Sequence, residues 1–158
     1  MKRKQVGFSL IELLIVVAII LIIAAIAIPN LISARMSANE ASAVQSVRTI
    51  QSAETSYATT YPTVGYSNTL TQLSGASNNA CSATSAQACL IDNVLASGSK
   101  SGYIFTWTGD GLTPSVGYTI AADPTIRGSS GRRSFFSNTP GVIRYNVTAA
   151  ATANDPPL

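Results

Sequence analysis

The sequence predicts an α+β fold, in which one long N-terminal helix packs on a small antiparallel sheet of three or four strands. The chain opens with an apolar segment that has no polar side chain from Leu13 to Ile28. Apolar residues at spacings of three and four then continue to Tyr57, which is typical of an amphipathic helix. Short alternating segments, separated by Gly, Pro and Asp, fill the C-terminal part and indicate a meander of strands.

The apolar segment is long enough to cross a membrane. Phe8 to Ile28 is 21 residues long. As a helix it would measure about 31 Å, close to the thickness of a bilayer's hydrocarbon core. Lys2, Arg3 and Lys4 precede it, and such a basic cluster favours a cytoplasmic N-terminus with the rest of the chain outside. The sequence therefore predicts a single-pass membrane protein.

Three simpler interpretations compete for this segment: a plain membrane anchor, a secretory signal peptide and a buried core helix. Ala25-Ile26-Ala27 supports the second, because it resembles a signal-peptidase site behind an apolar run. Glu12 argues against all three. An ionisable side chain inside an apolar span costs about 2.5–3.5 kcal/mol on insertion, and such residues usually have a function.

The residues from Gly7 to Ile20, GFSLIELLIVVAII, resemble the start of a type IV pilin or of a type II secretion pseudopilin. In that family a prepilin peptidase cuts after the Gly, the new N-terminal Phe is N-methylated, and the apolar helix is kept as the core of a filament. Carried over to this chain, the resemblance implies cleavage between Gly7 and Phe8 and methylation of Phe8. It also implies that Glu12 pairs with the amino group of a neighbouring subunit.

The resemblance and the composition together divide the chain into a prepilin leader (1–7), a transmembrane and filament-core helix (8–29) and a periplasmic or extracellular pilin-like globular domain (30–158). Within that domain we expect an amphipathic helix (30–60), a loop region (62–101), a β-meander (102–147) and a tail (148–158). Pro29 is predicted to kink the helix, because it lacks a backbone donor and crowds the carbonyl of Ala25.

The predicted elements can be placed more closely. One helix is expected from about Ser9 to about Tyr57, with an apolar stripe of Ala41, Val44, Val47, Ile50, Ala53 and Tyr57, while Arg35, Glu40, Arg48 and Glu54 lie among polar neighbours. Short helical turns are expected at 69–73 and 92–96. Strands are expected at 103–108, 117–122, 134–137 and 142–146, with turns at Asp110-Gly111 and Pro140-Gly141. The tail from Asn154 to Leu158 is predicted to be disordered.

Two cysteines, Cys81 and Cys89, fall in the part of the chain that is predicted to be exported. In an oxidising compartment they should form a disulfide bond. The chain has no His, so the two cysteines have no imidazole with which to build a zinc site.

The numbers of charged residues also limit the functions that the chain can have. The precursor has 10 basic and 7 acidic residues, and loss of a leader with three basic residues leaves 10 − 3 = 7 of each. A surface with no net charge favours self-association. No catalytic residue, cofactor or metal is predicted, because the chain has no His and no carboxylate pair, and Asp92, Asp110 and Asp123 are single acids in separate loops.

Two surface motifs have alternative interpretations. Arg127, Arg132 and Arg133 lie in a Gly- and Ser-rich loop, which we interpret as a flexible solvated turn or as a partner for acids on the next subunit. A weak DNA-contacting patch is the alternative, and nucleic acid is not expected as a partner. Asn146-Val147-Thr148 matches a glycosylation acceptor, a motif that is common by chance.

The leading functional hypothesis is a structural subunit of a type IV pilus-like filament, and not an enzyme. Its expected partners are further copies of itself, minor pilins, the prepilin peptidase and an inner-membrane assembly platform. It would be a single-pass inner-membrane protein as a precursor and part of a periplasmic or cell-surface filament afterwards. The alternatives are a pseudopilin of a type II secretion system and, from another class, a monomeric single-pass membrane protein with a periplasmic binding domain.

Overall fold

The computed structural model describes residues 8–75, 81–139 and 141–158. The chain divides into two compact units, the first ending at Ala34 and the second running from Arg35 to Leu158. The predicted leader 1–7 with its cleavage residue Gly7, and the turn residue Pro140, lie outside the described residues. So does the part of the predicted loop region between residues 76 and 80.

The described residues form a helical and a β component, which confirms the predicted α+β, pilin-like arrangement. The helices are α1 (Leu10–Thr60), α2 (Leu70–Leu73) and α3 (Asn93–Ala96). The strands are β1 (Ser99–Lys100), β2 (Tyr103–Gly109), β3 (Tyr118–Pro124), β4 (Ser134–Asn138) and β5 (Arg144–Asn146). Helix α1 is continuous through Pro29, and the kink there stays a prediction.

The five strands form one sheet in the order β1-β2-β3-β4-β5, with every neighbouring pair antiparallel. The prediction of three or four strands is therefore corrected to five. The missed strand is β1, which pairs with β2 through a turn at Ser101 and Gly102. Both turn residues have positive φ, at 50° and 73°, which is the geometry that two-residue hairpins prefer.

The core lies between the sheet and the second half of α1. Tyr103 and Phe105 alternate inward along β2, as predicted, and Trp107 is half-buried on the same face. They pack with the buried side chains of the neighbouring strands and of α1, which include Ile120, Ala122, Phe135, Val47, Ile50 and Tyr57. The predicted loop region also contributes, since Leu73 of α2 and Leu95 of α3 are fully buried.

The buried stripe of α1 differs from the predicted one. Ala41 is exposed, and Ala43 takes its place in the core. The full set of buried residues on α1 is Met36, Glu40, Ala43, Ser46, Val47, Ile50, Ala53, Glu54 and Tyr57. Two glutamates that the sequence placed among polar neighbours therefore lie in the buried face of the helix.

The C-terminal tail is ordered, and the prediction of disorder was wrong. Tyr145 donates its backbone N–H to the carbonyl of Pro156 over 3.1 Å, and Leu158 donates to Ile143 over 2.9 Å. The guanidinium of Arg144 donates to the carbonyl of Asp155 over 2.7 Å. The tail thus runs beside β5, where two consecutive prolines favour the extended backbone that such pairing needs.

The disulfide between Cys81 and Cys89 is present, with their Cα atoms 6.2 Å apart. The residues on either side of Cys89 are tied to α2 by backbone bonds from Ala88 to Gln72 and from Leu90 to Leu73, each 2.7 Å long. The described part of the 62–101 region is therefore packed on the core, although it is mostly irregular.

Candidate functional site

In its described residues, 8–34, the first unit is helical from Leu10 onward, and its large apolar side chains there are all exposed. Their exposed fractions run from 81% for Phe8 to 44% for Ile32. The helix contains an 18-residue window with a mean hydropathy of 3.3, none of it buried, and is long and apolar enough to cross a membrane. An apolar surface of this size on a soluble protein marks a site that something else covers.

The helix begins with a capping box formed by Ser9 and Glu12. Ser9 donates its backbone N–H to Glu12 Oε2 over 2.9 Å. Ser9 Oγ in turn accepts a 3.4 Å hydrogen bond from the N–H of Ile11. Reciprocal bonds of this kind satisfy backbone donors that the first turn of a helix leaves unpaired, and they stabilise its start.

This geometry gives Glu12 a role within its own chain that the sequence analysis did not identify. The pattern Ser-x-x-Glu before an apolar run is the signal that could have revealed it. Among the described residues, only Oε2 of Glu12 accepts a hydrogen bond, so Oε1 is available to a further donor. The predicted partner, a neighbouring subunit's amine, is not part of a single chain, and this pairing stays a prediction.

Two more carboxylates lie where α1 meets the sheet, and Glu40 is the one closer to the start of the second unit. Its Oε1 accepts the backbone N–H groups of Arg132 at 2.8 Å and Arg133 at 3.2 Å, and its Oε2 pairs with Arg133 Nε at 2.8 Å. Burial acts to raise the pKa of Glu40. The hydrogen bonds and the charge of Arg133 outweigh that effect, so the pKa lies below its ordinary value.

Glu54 is the second buried carboxylate, and none of its hydrogen-bond partners is a cation. It accepts from Ser67 N at 2.9 Å, from Ser67 Oγ at 2.6 Å and from the indole Nε1 of Trp107 at 2.7 Å. Burial raises the pKa of Glu54 by more than these hydrogen bonds lower it. The carboxylate joins α1, the segment before α2 and strand β2 at one point.

The arginine loop is ordered, and the interpretation as a flexible turn was wrong, because two of its three arginines are held by contacts within the chain, although Arg127 stays exposed. The guanidinium of Arg127 donates to the carbonyls of Arg132, Val147 and Ala149 and to Ser134 Oγ. Arg133 is held by Glu40 and lies over the rings of Phe135 and Tyr145. The side chain of Arg132 is exposed, and it has no partner among the described residues.

The remaining candidate motifs have structural roles. Asn146 donates to Asp155 Oδ1 over 2.8 Å and accepts from the N–H groups of Thr148 and Ala149, so its amide already holds the turn after β5. Asp110 accepts from Leu112 N, Val116 N and Ser115 Oγ within the β2–β3 loop. In the described ranges, no three His, Cys, Asp or Glu side chains come together to hold a metal ion.

Comparisons with known proteins found a family motif and a similar curated protein. Residues 2–28 match the family model described as the prokaryotic N-terminal methylation motif. Over 38 residues the chain is 63% identical to the type IV wide pilus major component PilA4 of Thermus thermophilus. The match covers 24% of this chain and 29% of that protein. No solved structure matches the chain significantly.

The matched motif and the exposed apolar helix coincide, since the motif runs through the part of α1 that the fold leaves uncovered. The chain carries the prepilin-type N-terminal methylation motif, and over 38 residues, 24% of its length, it is similar to a type IV pilin.

Proposed function

We propose that this protein is a structural subunit of a type IV pilus-like filament, polymerised through its N-terminal helix. The observation that carries the proposal is the apolar surface from Phe8 to Ile32, which coincides with the prepilin-type motif and is fully uncovered in the single chain. A bilayer covers such a surface in the precursor, and the helices of other subunits cover it in a filament. The localisation is then the inner membrane first, and a periplasmic or cell-surface filament afterwards.

Processing supplies the charge that assembly needs. Cleavage between Gly7 and Phe8 by a prepilin peptidase creates an ammonium group at Phe8, which is then methylated. The exposed position of Phe8 and the available Oε1 of Glu12 support a pairing between these groups of two neighbouring subunits. In a low-dielectric bundle an unpaired charge is costly, so the pair sets the register of each incoming subunit.

The matched relative is a pilus component, which supports a pilus subunit, and a pseudopilin of a type II secretion system stays the alternative. The monomeric membrane protein is the rival from another class. It would keep its N-terminal segment unprocessed, or lose it after Ala27 by signal-peptidase cleavage. An enzyme is not proposed.

Mass spectrometry of protein recovered from sheared surface filaments tests the proposal. We expect a mature N-terminus at Phe8 that carries one methyl group. Gly7→Val should leave unprocessed precursor in the membrane, because the peptidase must approach the backbone at a residue without a side chain. A chain that starts at Ile28, or the absence of this protein from sheared material, would contradict the proposed function.

A further inference from the structure

Two exposed arginines and one exposed isoleucine lie at the end of the second unit at which the chain enters it. Arg35 is the first residue of that unit, and Arg132 and Ile126 belong to the loop between β3 and β4. We propose that these three residues, the basic patch, bind anionic lipid headgroups in the leaflet that faces the globular unit, while the subunit waits in the membrane. The inference rests on the membrane-anchored state of the proposed function and not on filament assembly.

The contacts of α1 place the loop at this end of the unit. Asn39 donates its side-chain amide to the carbonyl of Ser130 over 2.8 Å, and Glu40 accepts the backbone N–H of Arg132 over 2.8 Å. These helix positions are four and five residues beyond Arg35. The loop therefore packs against the first turns of α1 within the unit, which follow the apolar segment directly along the chain.

The loop holds Ile126 outward in a fixed geometry. Ile126 accepts backbone bonds from Ser129 and Ser130, and it donates its own N–H to Ser130 Oγ over 3.0 Å. Gly128 closes the turn with φ at +86° and bonds to the carbonyl of Gly131 over 2.8 Å. The side chain of Ile126 is nevertheless 63% exposed. Little ordering entropy would be lost when a preformed loop docks on a surface.

Some of the arginines at this end are held by acceptors within the chain, and others have no such partner. Arg127 and Arg133 are held by internal acceptors, whereas neither Arg35 nor Arg132 has a side-chain partner within residues 8–75, 81–139 and 141–158. The charged groups at this end are these four arginines and two acids, Glu40 and Asp123, so their net charge is 4 − 2 = +2. Glu40 is turned inward onto Arg133, so the exposed cations at this end are Arg35, Arg127 and Arg132, of which only Arg127 is held by acceptors of the chain itself.

A lipid surface fits this combination better than a protein groove does. The patch offers cations beside an exposed aliphatic side chain, the pairing that interfacial segments use to bind headgroups and to dip into the acyl boundary. The patch also follows the predicted membrane span along the chain, so the bilayer is the surface available to it. Each exposed arginine near an anionic surface should raise the ratio of bound to unbound patch about fivefold, and the two together about 25-fold.

Hydrogen exchange on the full chain in lipid nanodiscs tests the inference. The nanodiscs contain either phosphatidylcholine alone or phosphatidylethanolamine with phosphatidylglycerol. We expect amides 126–133 to exchange more slowly in the anionic discs, and this protection to weaken as salt is raised past physiological ionic strength. Arg132→Gln should weaken it, and Arg35→Gln with Arg132→Gln should abolish it. Arg48→Gln is the matched control, because Arg48 is also an exposed α1 arginine without a described partner.

Four results would overturn the inference. Equal exchange in neutral and anionic discs would show that the patch does not bind anionic lipid. An equal effect of Arg48→Gln would show that the net charge of the chain matters and the position of the basic patch does not. Protection that inorganic phosphate reproduces in neutral discs would indicate a general anion site, and protection that rises with subunit density in neutral discs would indicate a second copy of the chain. Failure of the proposed anchoring would show separately, as loss of the chain from the nanodiscs altogether.

Discussion

The indole N–H of Trp107 donates to Glu54 Oε1 over 2.7 Å, and this bond joins the sheet to α1 inside the core. The same carboxylate takes both donors of Ser67, so one buried group satisfies three donors from two other segments. Such a contact specifies how the helix lies on the sheet, because an apolar residue at position 54 would leave all three donors unpaired.

Glu54→Gln should destabilise the second unit, although the side chain keeps its shape. The amide offers one oxygen and one NH₂ group, so at least one of the three donors would face another donor. A buried unsatisfied donor costs about 1–3 kcal/mol. Urea unfolding followed by the fluorescence of Trp107, the single tryptophan, measures this change. With Ser67→Ala and the double variant, the effects should be clearly non-additive, and additive effects would show that Glu54 and Ser67 are not coupled.

The two buried glutamates should give stability opposite dependences on pH. The pKa of Glu40 lies below the ordinary 4.5, so its contribution is present above that pH and is lost as the pH falls through the folded-state value. The pKa of Glu54 lies above 4.5 because burial outweighs its hydrogen bonds, so its contribution is complete below 4.5 and is lost as the pH rises through the folded-state value.

Unfolding free energies measured from acidic to neutral pH should separate the two groups. Glu40→Gln should flatten the loss of stability on the acid side of pH 4.5. Glu54→Gln should remove a decline of stability on the neutral side of pH 4.5, in addition to its overall loss. The same pH profile for both variants would mean that the environments of the two carboxylates are not as different as their partners imply.

Two ion pairs among the described residues have nearly equal lengths but differ in burial. Glu40 and Arg133 are 2.8 Å apart with side chains 10% and 38% exposed, whereas Lys100 and Asp92 are 2.9 Å apart with 33% and 50% exposed. Glu40→Ala should reduce the free energy of unfolding by about 1–3 kcal/mol, because it also leaves two backbone N–H groups without an acceptor. Lys100→Ala should cost less than about 1 kcal/mol, as exposed pairs do. Equal losses in urea unfolding would contradict this order.

The sequence predicted the elements that depend on periodicity and missed those that depend on partners far along the chain. The alternation of Tyr103, Phe105 and Trp107 identified β2, because half-buried strands repeat every two residues. Glu40 and Glu54 each lie seven residues from Val47, so they share its buried stripe, but their polarity hid this. The two glutamates can be buried because donors far along the chain satisfy their carboxylates, and no local pattern predicts those contacts. The donors belong to Arg132, Arg133, Ser67 and Trp107.

Removal of the disulfide should loosen a short segment and leave the sheet intact. Cys81→Ser with Cys89→Ser removes the disulfide, and in the chain-entropy model a disulfide that closes a loop this short stabilises the folded state by about 2.5 kcal/mol. The backbone bonds of Ala88 and Leu90 to the α2 region remain, so the effect should stay local. Hydrogen exchange should accelerate around residues 81–89 and stay unchanged in β2 and β3. Faster exchange across the sheet would mean that the disulfide supports the whole second unit.

Glu12→Gln separates the observed capping contact of Glu12 from its proposed pairing with a neighbouring subunit, because glutamine can still accept from Ser9 N–H in a capping box but carries no charge. Membrane insertion should be unchanged or slightly better, since a neutral amide is easier to bury than a carboxylate. Processing at Gly7 should continue. Filament assembly should fail, because the incoming ammonium group meets no counter-charge, a penalty of about 3–5 kcal/mol for one side of a buried pair.

Ser9→Ala is the matched variant, because it removes the hydroxyl that caps Ile11 and keeps the charge of Glu12. A lost cap costs about 0.5–2 kcal/mol of helix stability, which a helix held in a bilayer should tolerate, so filaments should still form. Immunoblots of sheared and membrane fractions compare the two variants. Mature subunit confined to the membrane is expected for Glu12→Gln, and near-normal filaments for Ser9→Ala. The reverse pattern would mean that Glu12 acts as a helix cap, and normal filaments from Glu12→Gln would leave its charge without a role in assembly.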